Sequence, residues 1–273
     1  MHSQIAAFAR LANGLDKPVR NIYGEPTHLT RTVHDIRYNE VDDEIVVPVT
    51  ADAILTFRGG ATGQEPPIRI IQGPKTQVGG DRLDIDVVHR EIYGLGGGGI
   101  VVHSLDANGD VAPLRVLRGA PGFRPSSSVA VDPIHNLLAT VGGGGRSILI
   151  FDRMASGNAM PLRVIEGANT QIDRINQMTI YPAGKLLVVA MPGIQSYMAP
   201  PRFFVGMWSL DDDGDVAPKF AIAGDKTLMG KTFGVAVNPD QKEIHVSDMR
   251  RHGILAYSVP EAFEPVAAST GSR

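Results

Sequence analysis

Short apolar runs alternate with polar turns along almost the whole chain. Runs such as Ile54–Phe57 and Ile148–Phe151 are almost continuously apolar, which is typical of strands covered on both faces. Each run is followed by a turn rich in Gly, Asn and Asp, and then by Pro-X-Arg, which suits the start of an edge strand. Apolar residues do not keep the three- and four-residue spacing of an amphipathic helix. The pattern therefore predicts an all-β chain of short strands.

One sequence unit recurs along the chain. The copy ILIFDRMASGNAMPLRVIEG at 148–167 is matched by ILTFRGGATGQEPPIRIIQG at 54–73 and IVVHSLDANGDVAPLRVLRG at 100–119, with weaker copies at 5–24 and 204–224. The copies end in glycines spaced by roughly 50 residues, close to the period that is typical of propeller blades. These glycines are Gly24, Gly73, Gly119, Gly167 and Gly224.

A second strand pair lies between the copies. Each of these segments contains a short strand, a turn and another strand, at residues 34–49, 83–96, 128–141, 177–191 and 234–248. We assign them as the inner strands A and B of a blade, and the recurring unit as the outer strands C and D. The sequence therefore predicts an all-β propeller of four-stranded blades, with about five blades in a single domain at residues 1–260. The tail at 261–273 is small and polar, and we expect it to be disordered.

The ends of the chain raise the question of how the blades close. Residues 5–10 and 254–258 both resemble a C strand, so six C strands accompany five of every other type. A propeller usually closes by joining strands from both termini in one blade, where these two segments would compete. Three interpretations remain open. One copy is displaced, the chain is part of a six- or seven-bladed propeller, or two chains pair as a homo-oligomer.

Composition narrows the choice of partners. The net charge is −3 and we find no cluster of Lys and Arg, which argues against nucleic acid. No apolar run approaches the roughly 18–20 residues of a membrane span. The N-terminal sequence lacks the basic and apolar regions of a signal peptide, so we expect a cytoplasmic protein if Met1 is the true start. The chain has no cysteine, which removes disulfides, thiolate metal sites and a cysteine nucleophile.

The repeat resembles a known family. The inner strand pair, the apolar strand and the segment Gly157-Asn158-Ala159 followed by Pro-Leu-Arg-X-Ile-X-Gly are similar to NHL-like bacterial β-propellers. A more distant resemblance links the chain to the six-bladed group that includes gluconolactonase-type sugar lactonases. The resemblance covers residues 5–258, and the matching positions are ones that shape the fold. It implies a domain that binds proteins or other ligands on one face, and less often a metal-dependent hydrolase or lyase.

A site is expected where the inner strands begin. In propellers the D-to-A linkers and the B-to-C loops share one face, at the mouth of the central channel, and convergent polar groups in such a concave mouth are candidates for binding. An insertion at 192–203 would extend the same face. The predicted ligand-binding residues are Asp35, Arg82, Asp84, Ser128, Arg174, Asn176, Gln177, Tyr197 and Arg202.

Two interpretations of these residues differ in chemistry. In the first, Asp35, Asp84, Asn176 and Asp248 supply oxygen ligands to a cation such as Ca²⁺, and His34 acts as a general base. In the second, the same polar side chains only hydrogen-bond strand ends and ordered water. The sequence favours the second, and with it a non-catalytic binding or scaffold module that recognises a protein or a small ligand at the mouth face. A metal-dependent, lactonase-like hydrolase or lyase is the alternative.

Glycine runs and acidic turns have ordinary explanations. The runs at 96–99 and 142–145 are followed by strands rather than by the helix that a phosphate loop requires, so we expect tight B-to-C turns. The turns at 106–110 and 211–215 resemble calcium loops, but Asx turns account for their Asp, Asn and Gly residues without an ion.

Overall fold

The fold is an all-β propeller with five blades, as the periodicity predicts. The computed structural model describes residues 3–30, 33–119, 123, 127–193 and 203–264. No described helix has the length and apolar character needed to cross a membrane. Contacts divide the chain into two compact units, which are Met1–Pro121 with Ser156–Ala159, and Gly122–Ala155 with Met160–Arg273.

The first unit contains a strand pair and two four-stranded blades. The pair consists of β1 (Gln4–Ala7) and β2 (Arg20–Tyr23). The next sheet has the order β3 (Arg37–Asn39), β4 (Glu44–Val49), β5 (Ala53–Arg58) and β6 (Arg69–Gln72). The third has the order β7 (Val78–Asp86), β8 (Glu91–Gly96), β9 (Gly99–Ser104) and β10 (Arg115–Leu117).

The second unit contains two four-stranded blades and one of three strands. The first sheet has the order β11 (Val129–Asp132), β12 (Leu137–Val141), β13 (Ile148–Asp152) and β14 (Arg163–Ile165). The second has β15 (Gln177–Tyr181), β16 (Leu186–Met191), β17 (Phe204–Ser209) and β18 (Phe220–Ala223). The last has β19 (Thr232–Asn238), β20 (Glu243–Asp248) and β21 (Gly253–Ser258).

Short 3-10 turns connect some strands. They span Glu25–Thr27, Gly143–Gly145, Pro182–Gly184, Asp225–Thr227 and Pro260–Phe263. The last one follows β21 and buries Ala262, because Ala262 and Phe263 pack with the core of the last blade. Described structure therefore continues past residue 260, where we expected the domain to end, and the rest of the tail from 265 lies outside the described residues.

All strand pairs within the blades are antiparallel, and their register aligns the repeats. The penultimate residue of each C strand occupies an equivalent position in its blade and faces the core. Phe57, Phe151 and Trp208 are fully buried there. The apolar runs read from the sequence are these C strands, and they are buried because they lie inside a sheet that is itself covered on both faces.

The acidic turns bind the neighbouring D strand. Asn108 Oδ1 accepts a hydrogen bond from the N–H of Ile70 at 2.9 Å, and Asp213 Oδ1 accepts one from Val164 at 2.8 Å. Asp215 Oδ1 accepts a further bond from the N–H of Asn169 at 2.7 Å. The turns thus join blades within a unit, and their acidic character needs no bound ion.

The glycine runs form turns, as expected. Gly97 and Gly98 connect β8 to β9 with φ of 57° and 76°, the left-handed conformation that a two-residue hairpin requires. The second run contains the 3-10 turn at Gly143–Gly145, between β12 and β13. Neither run is followed by a helix.

Neither C-like strand at the chain ends lies in a four-stranded sheet. Strand β1 pairs with β2, whereas β21 stays in a three-stranded sheet with β19 and β20. Within the described residues no strand pairs with the outer edge of β21. Ile254 on β21 is 69% exposed, although its equivalents Ile54 and Ile148 are buried.

Candidate functional site

Asp35 and Asp84 both contact a third residue, Arg37. The guanidinium of Arg37 donates from Nε to Asp84 Oδ1 at 2.7 Å, and from Nη1 to Asp35 Oδ1. Burial raises the pKa of Asp35, which Arg37 and Arg82 oppose. Burial alone would lower the pKa of Arg37, but the two carboxylates hold it above its ordinary value. The pair of carboxylates is therefore neutralised by arginine, and a cation there would have to displace Arg37.

His34 and Arg82 lie beside this network. The His34 ring contacts the Asp81 carboxylate through Nδ1, and Arg82 donates to the backbone carbonyl of His34. Both His34 and Asp81 are about one-third exposed, with side-chain values of 34% and 31%. The contacts fix the linker that leads into β3, and the role of His34 as a base stays a prediction.

Predicted site residues at the start of the A strands form a repeated link between blades. Asp35 Oδ2 accepts a hydrogen bond from the N–H of Leu83 at 3.3 Å. In the second unit, Ser128 Oγ accepts one from Met178 at 2.9 Å. Gln177 Oε1 likewise accepts the N–H of Val235 at 2.7 Å. In each case a side chain on one inner strand satisfies the backbone of the next, so these residues have a structural task whatever else they bind.

Asn176 and Asp248 are also committed to the backbone. The Asn176 amide donates to the carbonyl of Phe233 at 2.6 Å. Asp248 accepts backbone N–H groups at both oxygens, from Gly230 and Lys231 at Oδ2 and from Arg250 and Arg251 at Oδ1, at 2.7–3.0 Å. Burial alone would raise the pKa of Asp248, but these N–H groups hold it below its usual range.

The proposed calcium ligands come from both units. Asp35 and Asp84 belong to the first unit, and Asn176 and Asp248 to the second. Among the described residues no set of three or more His, Asp or Glu side chains is placed to hold a metal ion. The acceptor atoms of Asp35 and Asp248 already have protein donors.

A cavity of about 660 Å³ opens in the second unit. It lies where the linker before β15, the start of the loop after β16 and the ends of β19 and β20 meet. Its size is within the range of about 300–1,000 Å³ that is common for ligand sites. The described residues that line it are Arg174, Asn176, Pro192, Gly193, Phe203, Lys231, Phe233, Met249, Arg250 and His252.

The cavity is basic, although the whole chain is slightly acidic. Arg174, Lys231, Arg250 and His252 line it, and none of its described lining residues is Asp or Glu. No described carboxylate forms an ion pair with any of the three Lys and Arg side chains. Basic groups that converge without acidic partners produce a local positive potential, which favours an anionic ligand.

Two of the basic side chains lie over aromatic rings. Lys231 Nζ is 5.6 Å from the centroid of the Phe233 ring, and Arg250 Cζ is 5.9 Å from that of Phe203. Both rings are half-buried, and Met249 beside them is 55% exposed. Cation–π contacts hold the charged groups in place while leaving their polar hydrogens available. The cavity therefore combines positive charge with exposed apolar surface.

Two of the predicted ligand-binding residues, Arg174 and Asn176, line this cavity. Asp248, a predicted metal ligand, accepts the backbone N–H of the lining residue Lys231. Tyr197 and Arg202, the predicted contacts from the insertion, lie outside the described residues. Sequence reasoning missed Lys231 and the segment 249–252. The signal for the last was present, since Arg250, Arg251 and His252 are consecutive basic residues in one B-to-C loop.

Comparisons with known proteins identify the fold and no family. No family model matches the chain, and no curated protein matches it significantly. In contrast, 1065 chains of solved structures are similar, so the likeness is too widespread to indicate a function. One of them belongs to a structure described as "Crystal Structure of Mitotic Checkpoint Complex". It has a TM-score of 0.58 and 14% identity, and the match covers 89% of this chain and 67% of that one. At this identity the likeness shows the propeller fold alone.

Proposed function

We propose that this protein is a non-catalytic binding module that recognises a segment of a partner protein at the cavity in its second unit. The observation that carries the proposal is the cavity itself, whose basic side chains and half-buried aromatic rings meet without an acidic partner among the described residues. Sites that recognise ligands usually combine apolar surface with a few convergent polar groups. The propeller would then serve as a rigid scaffold for that surface.

The hydrogen bonds and ion pairs that the other candidate residues already make support a binding module rather than an enzyme. The carboxylates that would hold a catalytic cation are engaged by Arg37 or by backbone N–H groups. The NHL-like resemblance points the same way, because most domains of that kind bind ligands.

The structural neighbour is consistent with protein partners. It comes from a structure described as a complex, and rigid scaffolds that present loops are commonly used for recognition. This support is general, because the similarity is one of fold. The specific argument for a protein segment rests on the mixed basic and apolar surface of the cavity.

A peptide-display experiment tests the proposal without assuming a ligand. A random library is selected on the wild-type protein and then screened against Met249→Trp, which places a bulky ring at the cavity. Met154→Trp is the matched control, since Met154 is 54% exposed but lies in a C-to-D turn. We expect peptides that bind the wild type and Met154→Trp but lose affinity for Met249→Trp. A library that yields no peptide with this dependence would contradict the proposal.

The hydrolase alternative has its own test. Element analysis of the purified protein would detect calcium at one equivalent per chain, and that calcium would be lost in Asp84→Ala. A thermal shift on adding calcium or EDTA would support the same conclusion. The binding module predicts no metal at stoichiometric amounts and no such shift.

A further inference from the structure

The backbone around the cavity holds two basic side chains in fixed positions. Asp248 accepts the N–H of Lys231 through Oδ2 and that of Arg250 through Oδ1, at 2.9 and 3.0 Å. One buried carboxylate therefore ties together the two chain segments that carry these cations. Because both Asp248 oxygens accept backbone N–H groups, the carboxylate organises the loop, and among the described contacts it forms no ion pair with the side chain of Lys231 or Arg250.

The aromatic rings place apolar surface next to the charged groups of the cavity. Phe203 and Phe233 carry Arg250 and Lys231 over their faces, and Met249 adds an exposed thioether. A ligand that brings only charge would leave this apolar surface in water. A ligand with an acidic group next to an apolar side chain would satisfy both parts of the cavity, by charge-assisted hydrogen bonds and by apolar burial.

The number and placement of the cations favour a peptide over a nucleic acid. Nucleic-acid binding requires a basic surface that follows many phosphates, and the whole chain has a net charge of −3. Here four basic residues surround one cavity of about 660 Å³, which matches a few side chains. Arginine also matches the planar geometry of carboxylate and phosphate oxygens.

We propose that the cavity binds an acidic peptide segment, with its oxyanions at Arg174, Lys231 and Arg250 and a neighbouring apolar side chain at Phe203, Phe233 and Met249. This inference rests on the proposed function and specifies its ligand. The oxyanions can come from Glu and Asp carboxylates or from a phosphorylated side chain, which share the chemistry that the cations recognise.

Fluorescence anisotropy with defined peptides tests the inference. The probes are a labelled peptide of alternating Glu and Phe, its Gln-for-Glu counterpart, the same sequence with phosphoserine in place of Glu, and a labelled single-stranded oligonucleotide. We expect the Glu or the phosphoserine peptide to bind about tenfold more tightly than the Gln peptide, with an affinity that falls as salt is raised. Equal affinity for the Glu, phosphoserine and Gln peptides, or tightest binding to the oligonucleotide, would overturn the inference.

Charge-reversal variants locate the binding. Arg250→Glu is expected to weaken binding of the acidic peptide by about tenfold, because the reversed charge repels its oxyanions. Arg174→Glu provides a second test at an exposed side chain, where substitution has little cost to folding. Lys242→Glu is the matched control, because Lys242 lies in the turn at the other end of β19. Thermal unfolding of each variant shows whether the fold is retained. Equal loss in Lys242→Glu and Arg250→Glu would place binding elsewhere.

The outcome separates this inference from the function on which it rests. If the display experiment yields peptides that depend on Met249 but carry no acidic or phosphorylated residue, the ligand class is wrong and the binding module stands. If no peptide depends on Met249, both fail.

Discussion

His103 fills a place that is aromatic in other blades. The strand register aligns it with Phe57 and Phe151. It is 1% exposed, and neither ring nitrogen has a hydrogen-bond partner of normal geometry. Burial lowers the pKa of His103, and backbone groups of Thr76 and Val111 offset this only in part. A buried polar ring whose hydrogen bonds are poorly aligned destabilises the fold, typically by about 1–3 kcal/mol.

His103→Phe is therefore expected to stabilise the protein and to change its pH dependence. In the unfolded chain a histidine titrates near pH 6.5, so below that pH the unfolded state binds a proton that folded His103 resists. With His103 neutral, the free energy of unfolding of the wild type therefore has its full value above about pH 6.5, and it decreases as the pH falls below that value. Urea unfolding at about pH 8 and at about pH 5.5 should show that His103→Phe loses less unfolding free energy between these two pH values than the wild type does. An unchanged loss would show that His103 is not the cause.

Gly206 is dictated by the single tryptophan. A Cβ at Gly206 would lie 2.4 Å from the Trp208 ring, whereas the equivalent positions carry Leu55 and Leu149. The Trp208 ring therefore occupies the space that a leucine side chain fills at the equivalent position in the other two blades.

Gly206→Ala should cost about 1–3 kcal/mol of unfolding free energy, because the added methyl group overpacks the core. In a Trp208→Phe background the same change should cost less, since the smaller ring leaves room. Denaturant unfolding followed by circular dichroism completes this double-mutant cycle. Strict additivity would mean that the two residues do not compete for space.

At the scale of the strands, the last blade differs from the others in what covers its C strand. Ile254 has equivalents that are buried between strands B and D, but on β21 it is 69% exposed. The outer edge of β21 has no partner among the described strands, and an edge with exposed apolar residues favours association between chains. The homo-oligomer expected from the surplus C strand stays a prediction, and this edge is where a second chain would pair.

Ile254→Lys and Ile148→Lys form a matched pair. We expect Ile254→Lys to change the melting temperature little and to reduce self-association, because its side chain is already in solvent. Ile148→Lys buries a charge in a complete blade and should lower unfolding free energy by several kcal/mol, about 3 or more. Thermal unfolding and light scattering distinguish them. A similar loss of stability in both variants would show that a strand covers β21 in solution.

The sequence predicted the strands because their periodicity is local, and it failed where distant segments meet. Arg37 was missed although it organises Asp35 and Asp84, because the Arg37–Asp84 bond joins residues in successive repeats. Which of the two C-like terminal strands pairs with β2 was also undecided. Both copies have the same apolar pattern, and pairing of β1 with β2 depends on the geometry of the turn between them.

At the scale of the whole molecule, the two units use equivalent positions differently. In the first, the residues at the start of the A strands form a neutralised network around Arg37. In the second, the corresponding region holds Arg174 and Asn176 at the edge of an exposed basic cavity. Sequence reasoning treated both regions alike, because a polar residue before a strand looks the same whether or not a partner neutralises it. We therefore propose that recognition belongs to the second unit.

Methyl NMR of the methionines tests this assignment most directly. With ¹³C-methyl methionine, the Met249 signal reports on the cavity, and those of Met154 and Met160 report on an exposed C-to-D turn. Titration with the Glu-Phe peptide is predicted to shift the Met249 signal in a saturable way and to leave the other two unchanged. A titration in which Met249 stays unperturbed, or in which all three signals move alike, would contradict the account.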